Sequence, residues 1–254
     1  MNESSQIAWE MSLPTLPLIL AGPLQSWGHQ SQFRRRGTLS FPTQSGIVGL
    51  LAAACGIDRQ STDHDERIAC LASLPMLMAR LPNRSKKATP TLVDYHTVQN
   101  ARTASGGIKE TELTRRHYLQ DQIFVVLIQG SQSNLVDIAS HLRNPTWGAW
   151  LGRRACVPSL PVIPPGELPS DGANAAWQMV RGALLTIHPG WVIPDDWTHC
   201  AHTLTASDFS DGTDSWLDYP TSFAPERRQY HARRIKQVDP KSTNQEAFPF
   251  PLDP

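Results

Sequence analysis

The sequence has no surplus of charge of either sign: 23 Lys and Arg stand against 23 Asp and Glu, a formal net charge of zero. That excludes a nucleic-acid binder working through bulk charge, so any such surface has to be a local patch. Cysteine is sparse, and Cys55, Cys70, Cys156 and Cys200 form no CxxC pair. They read as free core thiols of a reducing cytosol, Cys55 and Cys70 lying in apolar helical contexts. No apolar run has the length of a transmembrane helix, and no basic segment precedes the first apolar run, which Pro14 and Pro17 break. No membrane partner and no signal peptide are therefore expected, and the expected location is cytoplasmic. Internal repeats and low-complexity tracts are also missing. His199-Cys200-Ala201-His202 is the single dense His/Cys cluster; without a second one to complete a ligand set, no metal is expected. The string SGIVGLLAAACG lacks the GK[ST] ending of a phosphate loop, so neither a nucleotide cofactor nor a small-molecule substrate is expected.

What is present is a globular composition, 40% hydrophobic and 18% charged, with 21 prolines that make much of the path irregular. At 254 residues the chain has room for one core, or one core and a smaller lobe. Charge is segregated. From Asp195 to Asp218 there are six aspartates and no Lys or Arg, a stretch that reads as solvated surface, whereas Arg227, Arg228, Arg233, Arg234 and Lys236 crowd the next segment.

The chain is organised around Leu18 to Asp58. Leu16 to Ala21 reads as a strand that stops at Gly22-Pro23. A polar loop follows with Gln25, Ser26, Trp27 and Gly28, then Arg34, Arg35 and Arg36. From Ser45 the residues Ile47, Val48, Leu50, Leu51 and Ala54 recur at helical spacing, with Thr43 or Ser45 as N-cap and Gly56 as the stop. Strand, basic loop and helix start bring guanidinium groups, an aromatic face and helix N-terminal N–H groups to one place, the parts that hold phosphates and unstacked bases. The candidate RNA contacts here are Gln25, Trp27, Arg34, Arg36, Thr43, Gln44, Ser45 and Gly46, with Trp27 open between base stacking and a core or interface role.

Ser61 to Leu74 reads as a second helix behind an acidic first turn, and Met76 to Leu81 as the second strand. Residues 82–122 are long, polar and basic, which marks a functional insertion. An extended hairpin fits, with arms Leu92 to Gln99 and Leu113 to Leu119, Gly106-Gly107 near the tip, and Arg102, Lys109, Arg115 and Arg116 as candidate contacts. A disordered basic loop is the other reading, compatible with the first if the segment orders on binding. Ile123 to Ile128 is the clearest buried strand, and Asn134 to Leu142 a helix capped by Ser133 or Asn134. Trp147 to Cys156 leads into a last strand or a Gly-rich turn, where Gly152, Arg153 and Arg154 suit a turn clasping phosphates. The expected class is α+β: a ferredoxin-like, RRM-like βαββαβ domain over 16–158 with an inserted β-hairpin thumb at 82–122. A leader (1–15), a small irregular β-rich C-terminal lobe (159–239, with strands at Trp177 to Ile187 and Tyr230 to Val238) and a tail (240–254) complete the expected layout.

Three blocks in order, AGPLQSWG with RGTLSFPTQSGIVGLLAAACGID, then Asp94-Tyr95-His96-Thr97-Val98, then Leu151-Gly152-Arg153-Arg154-Ala155-Cys156, resemble CasD, the five-numbered Cas family (RAMP superfamily) of the type I-E CRISPR complex Cascade. The resemblance covers roughly residues 16 to 160 well and the remainder loosely. It implies a non-catalytic subunit that caps the 5′ handle of the crRNA, for antiviral defence or RNA-guided DNA targeting. The thumb would lie across the guide, and the Cascade backbone subunit and large subunit would be its neighbours; target DNA near the guide start would be met only indirectly. Tyr95 and His96 join the candidate RNA contacts through the second block. The basic middle of the first loop, the leader and the 190–225 segment depart from the family pattern. The alternative is a metal-independent endoribonuclease processing precursor crRNA, with Tyr95, His96, Lys109 and His117 moving protons. Adjacent residues of a strand face opposite ways, which counts against Tyr95 and His96 acting at one phosphate.

Overall fold

A computed structural model describes residues 10–28, 31–32, 34–82, 91–103, 105–205, 212 and 214–239. Among them the elements run β1 (Thr15–Gln25), β2 (Ser31–Gln32), β3 (Arg35–Arg36), α1 (Gln44–Ala54), α2 (His64–Ala72), β4 (Met76–Arg80), β5 (Thr91–Arg102), β6 (Ile108–Gln129), α3 (Gln132–Arg143), α4 (Gly172–Ile187), β7 (Ala201–Thr205), β8 (Asp214–Ser222) and β9 (Gln229–Val238). The result is a mixed α/β fold on one largely antiparallel sheet. β6 is its axis. The second half of β6 pairs with β1 (Ile19 opposite Val125) and with β4 (Ala79 opposite Val125), and its first half pairs with β5. The expected hairpin and the expected buried strand are thus one continuous strand, so the hairpin projects as a direct extension of the core.

The apolar run IFVVLI is explained by burial on both faces. Phe124, Val126 and Ile128 pack with Leu16, Leu18 and Leu20 of β1 against α1, α2 and α3. Val125 and Leu127 pack with Ile19, Leu77 and Ala79 against α4. That second layer corrects the expected strand at Trp177 to Ile187, which is helical. Ala173, Ala176, Trp177, Val180 and Leu184 fall on one buried face at helical spacing.

Two other expectations change. β1 does not stop at Gly22-Pro23: Gly22 and Leu24 pair with Gln122 and Gln120, and the intervening Pro23 falls opposite Asp121, whose φ is +49°, where the ladder skips one pair without a shift of register. A missing N–H is tolerated at such an irregularity. Helix α3 is capped by Ser131, whose hydroxyl accepts from Asn134 N, two or three residues before the expected caps Ser133 and Asn134. Of the two expected forms, strand or turn, Trp147 to Cys156 takes the turn. The irregular chain beyond it runs beside β1, where Ile19 N donates to Val162 O and Ser159 N to Ala21 O.

The C-terminal strands join the same sheet, β7 pairing with β4 and β9 lying between β7 and β8. The four described aspartates of the acidic run have separate structural partners. Asp195 pairs with Arg181 at 2.8 Å, Asp196 caps Thr198, Asp214 accepts from Trp216 Nε1, and Asp218 is buried. Asp208 and Asp211 lie outside the described residues, as do the expected leader up to residue 9 and the tail from residue 240.

Candidate nucleic-acid interface

The loop between β1 and α1 is laid along the hairpin. Arg115 N donates to Arg34 O, and β3 pairs in parallel with β6, setting Arg35 beside Arg115 and Arg36 beside Arg116. Across β5, Tyr95 is in register with Arg115 and Asp94 with Arg116. Cross-strand partners share a face, so Tyr95, Arg115 and Arg35 form one row and Asp94, Arg116 and Arg36 the opposite one. Arg34, Arg35, Arg36, Arg102, Lys109 and Arg115 are exposed. Arg34, Arg35, Arg36, Gly37, Arg102, Lys109, Glu112 and Thr114 line one cleft of about 920 Å³, in which Glu112 is the single acid. Its carboxylate accepts from Lys109 Nζ and from Arg34 Nε at 3.1 Å. Those hydrogen bonds, the one from Lys109 first, hold it below the usual carboxylate range.

A second cleft of about 770 Å³ opens over α1. Helix α1 starts as the sequence predicts, with Thr43 Oγ1 accepting from Gly46 N. It ends at Gly56, whose φ of +64° suits a helix stop. The last carbonyls of α1 accept from Thr146 and Trp147, which fixes Trp147 at the rim. Ser45, Gly46, Gly49, Trp147, Trp150, Gly152, Arg154, Arg228 and Tyr230 line this cleft with Asp58 as its one acid. Both volumes lie within the roughly 300–1,000 Å³ of clefts that hold small ligands, large enough for a nucleotide.

The structure therefore brings Ser45 and Gly46 together with Gly152 and Arg154, and Arg34 and Arg36 together with Arg102 and Lys109. Four expected contacts are buried. Gln25 and Trp27 are both 0% exposed. Gln25 Nε2 donates to Leu20 O and Gln122 O, and Gln25 Oε1 accepts from Trp27 Nε1, so both support the loop from beneath. Thr43 and Gln44 are also buried, and Gln44 N donates to Asp218 Oδ2 at 2.8 Å, so the protein's own carboxylate occupies that part of the α1 N-terminus. Arg153 is half-buried, and its guanidinium donates to three backbone carbonyls of the protein. Gly152 has φ of +92°, and a Cβ there would stand 1.8 Å from Ser26 O, so the turn clasps the protein's backbone.

Tyr95 is 59% exposed on the outer row, whereas His96 is in register with Thr114 on the other face. Sequence reasoning passed over Arg35, Trp147, Trp150, Arg228 and Tyr230. Arg35 was within reach as the middle of an arginine triplet. Trp147 and Trp150 come to the cleft through the turn that follows α3 and bonds to the end of α1, and Arg228 and Tyr230 through the packing of the C-terminal segment on α1, for which there is no local signal.

The cysteine and histidine cluster is structural. His202 stacks edge-on against Trp197 at 5.1 Å, and Cys200 is buried. Among the described residues no group of three or more His, Cys, Asp or Glu could hold a metal ion. Cys70 is exposed rather than in the core, on the outer side of α2. Burial pushes the Cys200 thiol up to about 12, with Asp196 adding to the effect, and burial likewise raises Cys156. In the folded protein a thiol-disulfide reagent is expected to label Cys70 first. Labelling of Cys200 should stay far slower than that of Cys70 and show no plateau between pH 7 and 10, because its small thiolate fraction is still rising toward a pKa of about 12. Equal rates at Cys70 and Cys200, read by mass spectrometry, would contradict this.

Solved structures of CRISPR-associated proteins share this mixed α/β build. A chain of a CRISPR RNA-guided surveillance complex is similar at a TM-score of 0.65 and 27% identity, covering 89% of this chain and 90% of that one. A crystallised Cas protein is similar at a TM-score of 0.60 and 30% identity, covering 89% and 94%. The chain belongs to the CRISPR-associated protein (Cas5) family, whose model matches residues 15–236. It is 35% identical over 154 residues to the CRISPR system Cascade subunit CasD of Escherichia coli strain K12, covering 58% of this chain and 69% of the relative.

Proposed function

We propose that this chain is a non-catalytic subunit of a type I-E CRISPR RNA-guided surveillance complex that grips the 5′ handle of the crRNA. The observation that carries the reading is the arginine ladder. In a protein of zero net charge, Arg35 and Arg36 are held in register beside Arg115 and Arg116, and Arg34, Arg102 and Lys109 line one cleft with Arg35 and Arg36. Unit charges about 5 Å apart repel by roughly 0.8 kcal/mol even at the dielectric of water. A bound polyanion relieves that repulsion, and a short single strand whose bases can be splayed is a suitable one.

The handle would run from the cleft over α1, where Trp147 and Arg154 offer a stacking face and a cation, to the arginine cleft. The hairpin would then act as a thumb across the guide, on a ferredoxin-like sheet. The backbone subunit and the large subunit would be its neighbours in the assembly, within the cytoplasm. Reading of the DNA target would fall to the guide itself.

The test uses purified protein with labelled repeat-derived RNA, precursor and pre-cut handle, with and without chelator. The expected result is handle binding that weakens with salt and leaves the precursor intact. Cleavage of the precursor at one site would overturn the non-catalytic role and turn attention to Tyr95, His96, Lys109 and His117.

A further inference from the structure

Arg153 lines the cleft over α1 and reaches the backbone of Arg36 and Gly37, which line the arginine cleft. Its Nη1 donates to His117 O at 3.1 Å, and its Nη2 to Arg36 O at 2.9 Å and Gly37 O at 3.3 Å. The guanidinium plane also stands over the Tyr118 ring, 4.8 Å from its centroid. One side chain thus joins the end of β3 to the root of the hairpin. The turn that carries it is fixed separately: Ser26 N donates to Leu151 O, and Ser26 Oγ donates to the same His117 carbonyl that Arg153 uses.

The electrostatics argue that geometry, rather than charge, keeps an arginine here. Arg153 lies beside the Arg36 and Arg116 segment, and among the described residues no ion pair to a carboxylate offsets it. Another cation at this point adds repulsion. A planar fork can reach carbonyls from two chain segments while stacked on a ring; a lysine ammonium is a point donor and cannot reproduce that arrangement.

We infer that Arg153 is a positioning residue: it clasps the Arg36–Gly37 backbone to the hairpin root and thereby sets where the arginine ladder stands, without itself neutralising an RNA phosphate. Its consequence for binding rests on the RNA reading above; the clasp belongs to the RNA-free protein.

The experiment combines limited trypsin digestion of RNA-free protein with RNA titrations at several salt concentrations, on wild type, Arg153→Lys and Arg153→Met. Both variants are expected to be cut after Arg34, Arg35 or Arg36 about tenfold faster than wild type, the worth of one or two charge-assisted hydrogen bonds, with cleavage after Arg59 unchanged. Both should also bind the handle about tenfold more weakly with an unchanged salt slope. Wild-type behaviour of Arg153→Lys would overturn the clasp. So would a slope lowered by about 0.7 in Arg153→Met with digestion unchanged, which marks a direct phosphate contact. Equal acceleration at every arginine would make Arg153 a general support of the fold and overturn it as well. If wild-type protein bound no RNA, the proposed function would fail while the digestion pattern still decided the clasp.

Discussion

Asp218→Ala is expected to lower the free energy of unfolding by about 3–5 kcal/mol, the cost of leaving one member of a buried ion pair without the other. The Asp218 side chain is 1% exposed and that of Arg233 8%. The pair is bidentate, with Arg233 Nε to Oδ1 at 2.8 Å and Nη2 to Oδ2 at 3.0 Å, and Oδ2 also accepts from Gln44 N. Removing the carboxylate therefore strands a guanidinium on β9 and an N–H at the start of α1, where the helix dipole also favours a negative charge. For a chain of this size the loss corresponds to a fall in Tm of roughly 6–20 °C. Asp218→Asn keeps one acceptor and should fall between wild type and Asp218→Ala. The double replacement Asp218→Leu with Arg233→Met should recover most of the loss, because matched apolar groups leave no charge unpaired. A loss under about 1 kcal/mol in Asp218→Ala, measured by denaturant unfolding, would mean that the site is wetter than its burial indicates.

That pair also locates where the sequence is opaque. Asp218 and Gln44 are 174 positions apart, and nothing local distinguishes Asp218 from the other aspartates of its run. The same holds for Phe223 and Tyr230, which reach the α1 cleft through tertiary packing. Legible were the elements with a local signature: α1 with its Thr43 cap and Gly56 stop, the two-faced apolar strand, and the hairpin with glycines at its tip, where Thr103 N donates to Gly107 O. The helix over Gly172–Ile187 was misread because its Trp, Val and Leu residues also suit a strand; only the buried face at helical spacing, packed under the second side of the sheet, decides between them. For the site, residue type pointed to the right segments but not to which side chains face outward. Gln25, Trp27 and Arg153 sit in the blocks that carry the resemblance, and each is spent on the protein's own backbone or core.

Replacement of Arg35, Arg36 and Arg115 by Ala together separates RNA binding from stability. Each guanidinium that meets a phosphate is worth about 1–1.5 kcal/mol, so three lost contacts lower affinity for the handle by roughly two to three orders of magnitude at physiological salt. The slope of log K against log salt should shrink by about 2, three contacts at about 0.7 each for a single strand. Stability is expected to move the other way or not at all. The three residues are exposed, Arg35 beside Arg115 and Arg36 beside Arg116, so the substitutions relieve repulsion and uncover no core. Arg67→Ala, on α2 and paired with Asp63 at 3.8 Å, is the control and should leave affinity and slope unchanged. A triple variant that lost affinity with an unchanged salt slope would mean that the ladder acts on RNA only through the fold. One that kept wild-type affinity would remove the ladder from the RNA path altogether.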